Sequence, residues 1–332
     1  MLIKEVKGRT IKDSRGEETI EIELETHLGK FRASAPYGKS KGKNEKSAYS
    51  SRGLPWSIKL IGFFSEKVRG KNFQVKQFSD LDHFERLIKA FENSYEHLGA
   101  NITVAMEYAF LKAAAKENEK EVWEFIKGDR RIKIPHIMPV GNCVGGGMHS
   151  GNLREKRPDF QEFLLIPKED QFVKAVQKNI HAYENTKNII KKRDRKLFAH
   201  VNDEHAIKTE NNNEEVLSIL SETAQKFNLR LGLDVASSSF WKRGYYDYKN
   251  REVMRNNVEQ QDYIIHLIKR FNLFYVEDPM QEEDFEGFAA ILKKVKDCLI
   301  VGDDLTVTNL ERIKKAFTKG SINAVIIKPN QN

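Results

Sequence analysis

Cysteine is almost absent from the 332 residues: Cys143 and Cys298 are the two that occur. That count excludes a disulfide framework, and a reducing, cytoplasmic location is expected. Long hydrophobic runs are missing too. The longest apolar stretches, such as residues 163–166 and 324–327, fall far short of the roughly 18 residues a membrane helix needs, so no membrane partner is expected. The N-terminal Met-Leu-Ile-Lys-Glu-Val-Lys lacks the charged-then-apolar layout of a secretion signal. Charge is not gathered into blocks of one sign. Against 48 Asp and Glu stand 56 Lys and Arg, a net charge of +8, and the densest basic stretches, residues 39–46 and 191–196, carry no interleaved aromatics. A stacking platform for single strands needs such aromatics, so no specific nucleic-acid partner is expected. An acidic small substrate accounts for the same excess of positive charge.

What is present is the composition of a globular protein, 39% hydrophobic and 31% charged, long enough for one large domain or two ordinary ones. Residues 19–25 alternate Ile20, Ile22 and Leu24 with glutamates, Leu28-Gly29-Lys30 supplies a turn, and residues 31–35 return, which predicts a hairpin. Leu81, Phe84, Leu87, Ile88 and Phe91 have helical spacing, with Ser79 or Asp80 as cap and Gly99 as stop. An Ala-rich helix from Asn101 to Lys116 and a short one around Val122, Phe125 and Ile126 follow. The polar, basic segment 128–135 is the expected boundary between domains at residues 1–130 and 136–332. Beyond it, helical periodicity over residues 171–191, 214–227, 258–271, 283–297 and 309–318 alternates with apolar runs at 229–235, 273–276, 299–301 and 324–327. Such alternation predicts an α/β domain with parallel strands, doubly wound or closed as a barrel.

Each late strand ends in an ionisable residue: Leu233-Asp234, Val276-Glu277-Asp278-Pro279, Gly302-Asp303-Asp304-Leu305 and Ile327-Lys328-Pro329-Asn330. In a barrel these ends converge on one face. Carboxylates packed together repel unless protonated or holding a cation, and oxygen-only ligands select a hard ion such as Mg²⁺. A single Asp at a strand end reads better as a helix cap or a loop carboxylate; four ionisable ends in succession do not.

With these motifs assembled, the chain resembles the enolases, the phosphopyruvate hydratases. The matching segments are Asp13-Ser14-Arg15-Gly16, Gln161-Glu162-Phe163, Leu233-Asp234-Val235-Ala236-Ser237-Ser238, Val276-Glu277-Asp278-Pro279, Gly302-Asp303-Asp304-Leu305-Thr306-Val307-Thr308-Asn309 and Ile327-Lys328-Pro329-Asn330-Gln331. The resemblance implies an enolase-type α+β N-terminal domain followed by a TIM-like (β/α) barrel, two Mg²⁺ ions per site, and reversible dehydration of 2-phosphoglycerate to phosphoenolpyruvate. It implies Asp234, Glu277 and Asp303 as ligands of the first metal and Ser40, on a mobile loop, as a ligand of the second. Lys328 is implied as the base at carbon 2 and Glu204, with Glu162 beside it, as the acid that helps the carbon-3 hydroxyl leave. His149 is implied as a loop histidine closing on substrate and Gln161 as a polar neighbour of Glu162. A homo-oligomer is also implied.

The chemistry agrees with these roles. A proton α to a carboxylate is weakly acidic, so its abstraction requires cationic charge on the developing enediolate; a Lys or His base with Mg²⁺ is the general enolase-superfamily pattern. Lysine ordinarily titrates near ~10.4, so neighbouring positive charge and burial must lower it. The glycines Gly145-Gly146-Gly147 beside His149 suit a lid hinge or an ordinary turn. The segment Gly38-Lys39-Ser40 is not a phosphate loop, because Ala33 stands at the first glycine of that pattern.

Three departures stand out. The serine loop is Tyr37-Gly38-Lys39-Ser40-Lys41-Gly42, with two added cations, and Glu204 is followed by His205 and Ala206 where the family has two glycines. Family members also continue for two more strand–helix units bearing a His, an Arg-Ser pair and a second Lys, whereas this sequence stops at Asn332. The expectation is therefore an incomplete barrel: a fragment, or half of a split enzyme completed by a C-terminal chain, with little activity by itself. Another acid-sugar dehydratase fits less well. A catalytically inactive binding or scaffold protein is the alternative of a different class.

Overall fold

The computed structural model describes residues 1–38, 42–131, 137–150, 156–193 and 200–331. The chain divides into two compact units, one of Met1–Lys39, Glu45–Ile134 and Lys328–Asn332, the other of Ser40–Asn44 and Pro135–Ile327.

The first unit opens with β1 (Ile3–Lys12), β2 (Glu18–Thr26) and β3 (Gly29–Ala35), an antiparallel sheet in that order. In β2 the alternation divides the faces: Ile20, Ile22 and Leu24 are buried, while Glu21 pairs with Arg9 and Glu23 with Lys30 and Arg32 across the sheet. The turn from β1 to β2 is built by Asp13, whose Oδ1 accepts the N–H groups of Arg15 and Glu17, with Gly16 at φ 81°. There follow α1 (Leu54–Val68), α2 (Asp82–Ser94), α3 (Ala100–Glu117) and α4 (Val122–Lys127). The small buried Ala105, Ala109 and Ala113 line α3, which packs on β2 and β3.

Three readings are corrected here. Strand β1 is not anticipated because its pairing slips between Ile3 and Glu5, which breaks its alternation. Helix α1 is likewise missed, although its buried positions Leu54, Leu60, Ile61, Phe64 and Val68 have helical spacing. Gly99 does not stop α2, which ends at Ser94; it begins α3, at φ 108°, where a β-carbon would lie 2.3 Å from Tyr49 Cα.

The second unit contains β4 (Gly141–Gly145), β5 (Glu162–Pro167), α5 (Phe172–Arg193), α6 (Asn213–Phe227) and β6 (Leu229–Asp234). A small antiparallel sheet of β7 (Trp241–Lys242), β8 (Tyr245–Tyr248) and β9 (Val253–Arg255) comes next. Then come α7 (Asn257–Phe271), β10 (Leu273–Glu277), α8 (Phe285–Lys294), β11 (Leu299–Gly302), α9 (Leu310–Thr318) and β12 (Ala324–Val325). The main sheet has the order β12-β11-β10-β6-β5-β4. From β6 to β12 the pairs are parallel, as the alternation predicts. The pairs β4–β5 and β5–β6 are antiparallel, which corrects an all-parallel reading. Two helices in succession, α5 then α6, separate β5 from β6 and return the chain in the opposite sense. Among the described residues β12 and β4 are the edges of an open sheet, and Leu310, Phe317 and Ile327 are exposed.

Asparagines punctuate this unit. Asn212 and Asn256 cap α6 and α7 with side chains that accept two N–H groups each. Asn228 and Asn272 end them at φ 52° and 49°, a left-handed conformation that Asn tolerates better than most residues. Strands β6 and β10 start at the very next residue, so both turns launch their strands in the same way. Leu231, Leu233, Val276 and Ile300 face a core shared with Leu217, Leu220, Ile264, Leu267, Phe288 and Ile291. The alternate strand residues point to the other face, where the site lies.

Candidate active site

Glu162, Asp234 and Glu277 are lateral partners across β5, β6 and β10, and such partners share a face of the sheet. Asp303 follows β11, two residues past Val301, the partner of Glu277. Four carboxylates therefore gather at one end of four adjacent strands. Glu277, Asp278 and Asp303 each place an oxygen within 4.8 Å of the others.

Asp278 belongs to the motif read from the sequence, but its part in the site was not anticipated. It sits at φ 41°, and its carboxylate accepts the N–H groups of Asp303 at 3.2 Å, Asp304 at 2.7 Å and Leu305 at 3.4 Å. It fixes the turn that presents Asp303. Ala236, Val307 and Thr308, in the loops after β6 and β11, are also left-handed, at φ 45°, 41° and 54°, and a β-branched residue in that region is strained. Left-handed residues thus recur in the turns that follow these strands.

Asp234 is buried, and its carboxylate accepts Gln161 Nε2 at 3.0 Å and the Ala236 N–H at 3.0 Å. Gln161 is therefore joined to Asp234 as well as adjacent to Glu162. Burial, then the charges of Glu277 and Glu162, push the Asp234 carboxyl well above the usual carboxylate range. Asp278 is raised likewise by burial and by Asp304 and Asp303. A divalent cation seated among these oxygens removes the repulsion, and the donor set, all carboxylate, suits a hard ion such as Mg²⁺. The residues fit the metal.

On the β5 side of this cluster lie His149, Glu162 and Glu204. Buried His149 holds Nδ1 2.9 Å from Glu204 Oε2 and 3.4 Å from Glu162 Oε1. These are charge contacts rather than aligned hydrogen bonds, and both ring nitrogens lack an aligned partner among the described residues. Burial works to lower the imidazolium's pKa, but the two glutamates outweigh it and raise it to about 9. His149 is a cation at neutral pH.

Asn202, which the sequence reading overlooked, builds the loop bearing Glu204. Its Oδ1 accepts the N–H groups of Glu204 and Ala206, and its Nδ2 donates to the His149 carbonyl. His205 accepts a φ of 64° at the position of the missing glycine, so the loop closes in spite of the β-carbon.

The glycines beside His149 are packed. A β-carbon on Gly146 would lie 2.3 Å from the Phe160 carbonyl and 2.6 Å from that of Pro158, and one on Gly145 would lie 2.7 Å from Asn202 Nδ2. Gly146→Ala is expected to destabilise the fold by about 1–3 kcal/mol, read as a lower urea midpoint at unchanged slope. A free hinge at Gly146 would instead leave the midpoint in place.

Ser40 lies outside the described residues. The described end of its loop rests on the turn after β10: the Lys43 N–H donates to Glu282 at 2.9 Å and Asn44 Nδ2 to Glu283 at 2.8 Å. Lys328 comes three residues after Val325, the end of β12, and groups with the first unit. There the Asn330 side chain donates to the Pro36 carbonyl and the Lys46 N–H to that of Gln331.

Comparison with known proteins agrees with this geometry. Residues 3–126 match the family described as enolase, N-terminal domain, and residues 133–332 match enolase, C-terminal TIM barrel domain. Among similar proteins, the enolase of Methanosphaera stadtmanae is 36% identical over 99% of this chain and 80% of its own length. That of Methanocorpusculum labreanum is 37% identical over 99% and 82%, and that of Archaeoglobus fulgidus 34% over 100% and 81%. The chain belongs to the enolase family, whose members are lyases.

Proposed function

We propose that the protein catalyses the Mg²⁺-dependent, reversible dehydration of 2-phosphoglycerate to phosphoenolpyruvate. The observation that carries this reading is the line of carboxylates at adjacent strand ends, Asp234, Glu277 and Asp303, beside the His149, Glu162 and Glu204 cluster. Residues 1–130 are assigned to the N-terminal domain and 136–332 to the catalytic barrel.

Asp234, Glu277 and Asp303 would hold the first Mg²⁺, with Ser40 toward a second. Bound Mg²⁺ supplies positive charge against the substrate carboxylate and so acidifies the carbon-2 proton. Lys328 removes that proton. Glu204, in its protonated form, gives that proton to the carbon-3 hydroxyl, which leaves as water, with Glu162 next to it and Gln161 holding Asp234. His149, charged at neutral pH, offsets the charge of Glu162, and of Glu204 while that group is ionised, and lies toward the anionic substrate.

Metal removal tests the reading. In protein expressed from its whole reading frame, a chelator is expected to abolish formation of phosphoenolpyruvate, and added Mg²⁺ to restore it. Full turnover in excess chelator would contradict it.

A further inference from the structure

Tyr275 and Glu277 stand on the same face of β10, two residues apart. The Tyr275 hydroxyl donates to Glu277 Oε2 at 2.5 Å. The ring has room because its lateral partner in β6 is Gly232, where a β-carbon would lie 3.1 Å from Tyr275 Cβ and 3.3 Å from Leu164 Cβ. A tyrosine and a glycine are thus matched across two strands directly beneath the carboxylates.

The consequence concerns coordination. A phenol donating to one carboxylate oxygen takes one of its lone pairs and draws charge from it, which favours metal coordination through the other oxygen. Mg²⁺ is small, demands near-octahedral geometry and takes carboxylates through single oxygens, whereas Ca²⁺ is larger and accepts both oxygens of one carboxylate. Groups that orient a ligand in this manner typically change metal affinity by about 10–100-fold when removed. We propose that Tyr275 is a positioning residue that restricts Glu277 to one-oxygen coordination and so selects Mg²⁺ over Ca²⁺ at this site. The inference rests on Glu277 being a metal ligand, as proposed above.

The test is calorimetric titration of the protein with Mg²⁺ alone and with Ca²⁺ alone, repeated on Tyr275→Phe. The unaltered protein is expected to bind Mg²⁺ the more tightly. Tyr275→Phe is expected to weaken Mg²⁺ binding about tenfold and to lower the ratio of the Ca²⁺ to the Mg²⁺ dissociation constant by at least that factor. Tyr275→Leu, which also lacks the hydroxyl, is expected to shift the ratio in the same direction and serves if the Phe variant does not fold. An unchanged ratio in a folded variant that still binds metal overturns the role of Tyr275. Absence of metal binding in the unaltered protein overturns instead the assignment of Glu277 as a ligand.

Discussion

Replacing Lys328 by alanine is expected to lower carbon-2 proton exchange of 2-phosphoglycerate by about 10²–10⁴-fold, the usual contribution of a positioned general base. Exchange is the relevant readout because it reports proton removal apart from loss of the hydroxyl. Lys328→Arg sharpens the test. Arginine keeps the charge, but its guanidinium cannot be deprotonated in a protein, so a base at this position fails with arginine as it does with alanine. A lysine acting only as a cation toward the substrate would leave the arginine variant active. Exchange is measured by loss of the carbon-2 proton signal in heavy water, on protein expressed from its whole reading frame, with Mg²⁺ saturating.

Glu204→Gln is expected to separate the two halves of the reaction, retaining carbon-2 exchange within a few-fold while dehydration falls by about 10²–10⁴-fold. Glutamine preserves the shape that Asn202 imposes through the Glu204 and Ala206 N–H groups, but it has no proton to give. A second consequence falls on His149. Its pKa is held at about 9 by Glu162 and Glu204 against the effect of burial, so removing one carboxylate lowers it. The raised value means that this ion pair stabilises the fold fully below the unfolded imidazole's pKa, near ~6.5, and loses that contribution as pH rises through the folded value. In Glu204→Gln the loss is expected to begin at lower pH, visible in the pH dependence of the melting temperature. Equal loss of exchange in the Lys328 and Glu204 variants would show that base and acid are not divided between these residues.

Much of the site was legible because chemistry and strand ends coincide. Asp234, Glu277 and Asp303 were readable as a set, since each closes an apolar run, and the helices α6, α7 and α9 that flank these strands have asparagine caps. What was not legible depends on pairing. That β5 runs against β6, and so puts Glu162 beside Asp234, is a fact of register that no single segment encodes. Asp278 was visible within its motif, but its three N–H partners come from residues 303–305, 25 or more positions away. Tyr275 was within reach of the period-two rule, as the residue on the same face as Glu277. Asn202 looked like any loop asparagine until His149 and Glu204 were brought to it. The glycines at 145–147 read equally well as hinge or turn, and only the carbonyls of Pro158 and Phe160 decide for close packing.

The central claim is that the carboxylate-lined strand ends and Lys328 together act on 2-phosphoglycerate. The most direct measurement is proton NMR of 2-phosphoglycerate in heavy water with the protein expressed from its whole reading frame and Mg²⁺. The account predicts loss of the carbon-2 proton signal and growth of the vinyl signals of phosphoenolpyruvate, both abolished by chelator. An unchanged substrate spectrum, with Mg²⁺ shown by calorimetry to be bound, would contradict it.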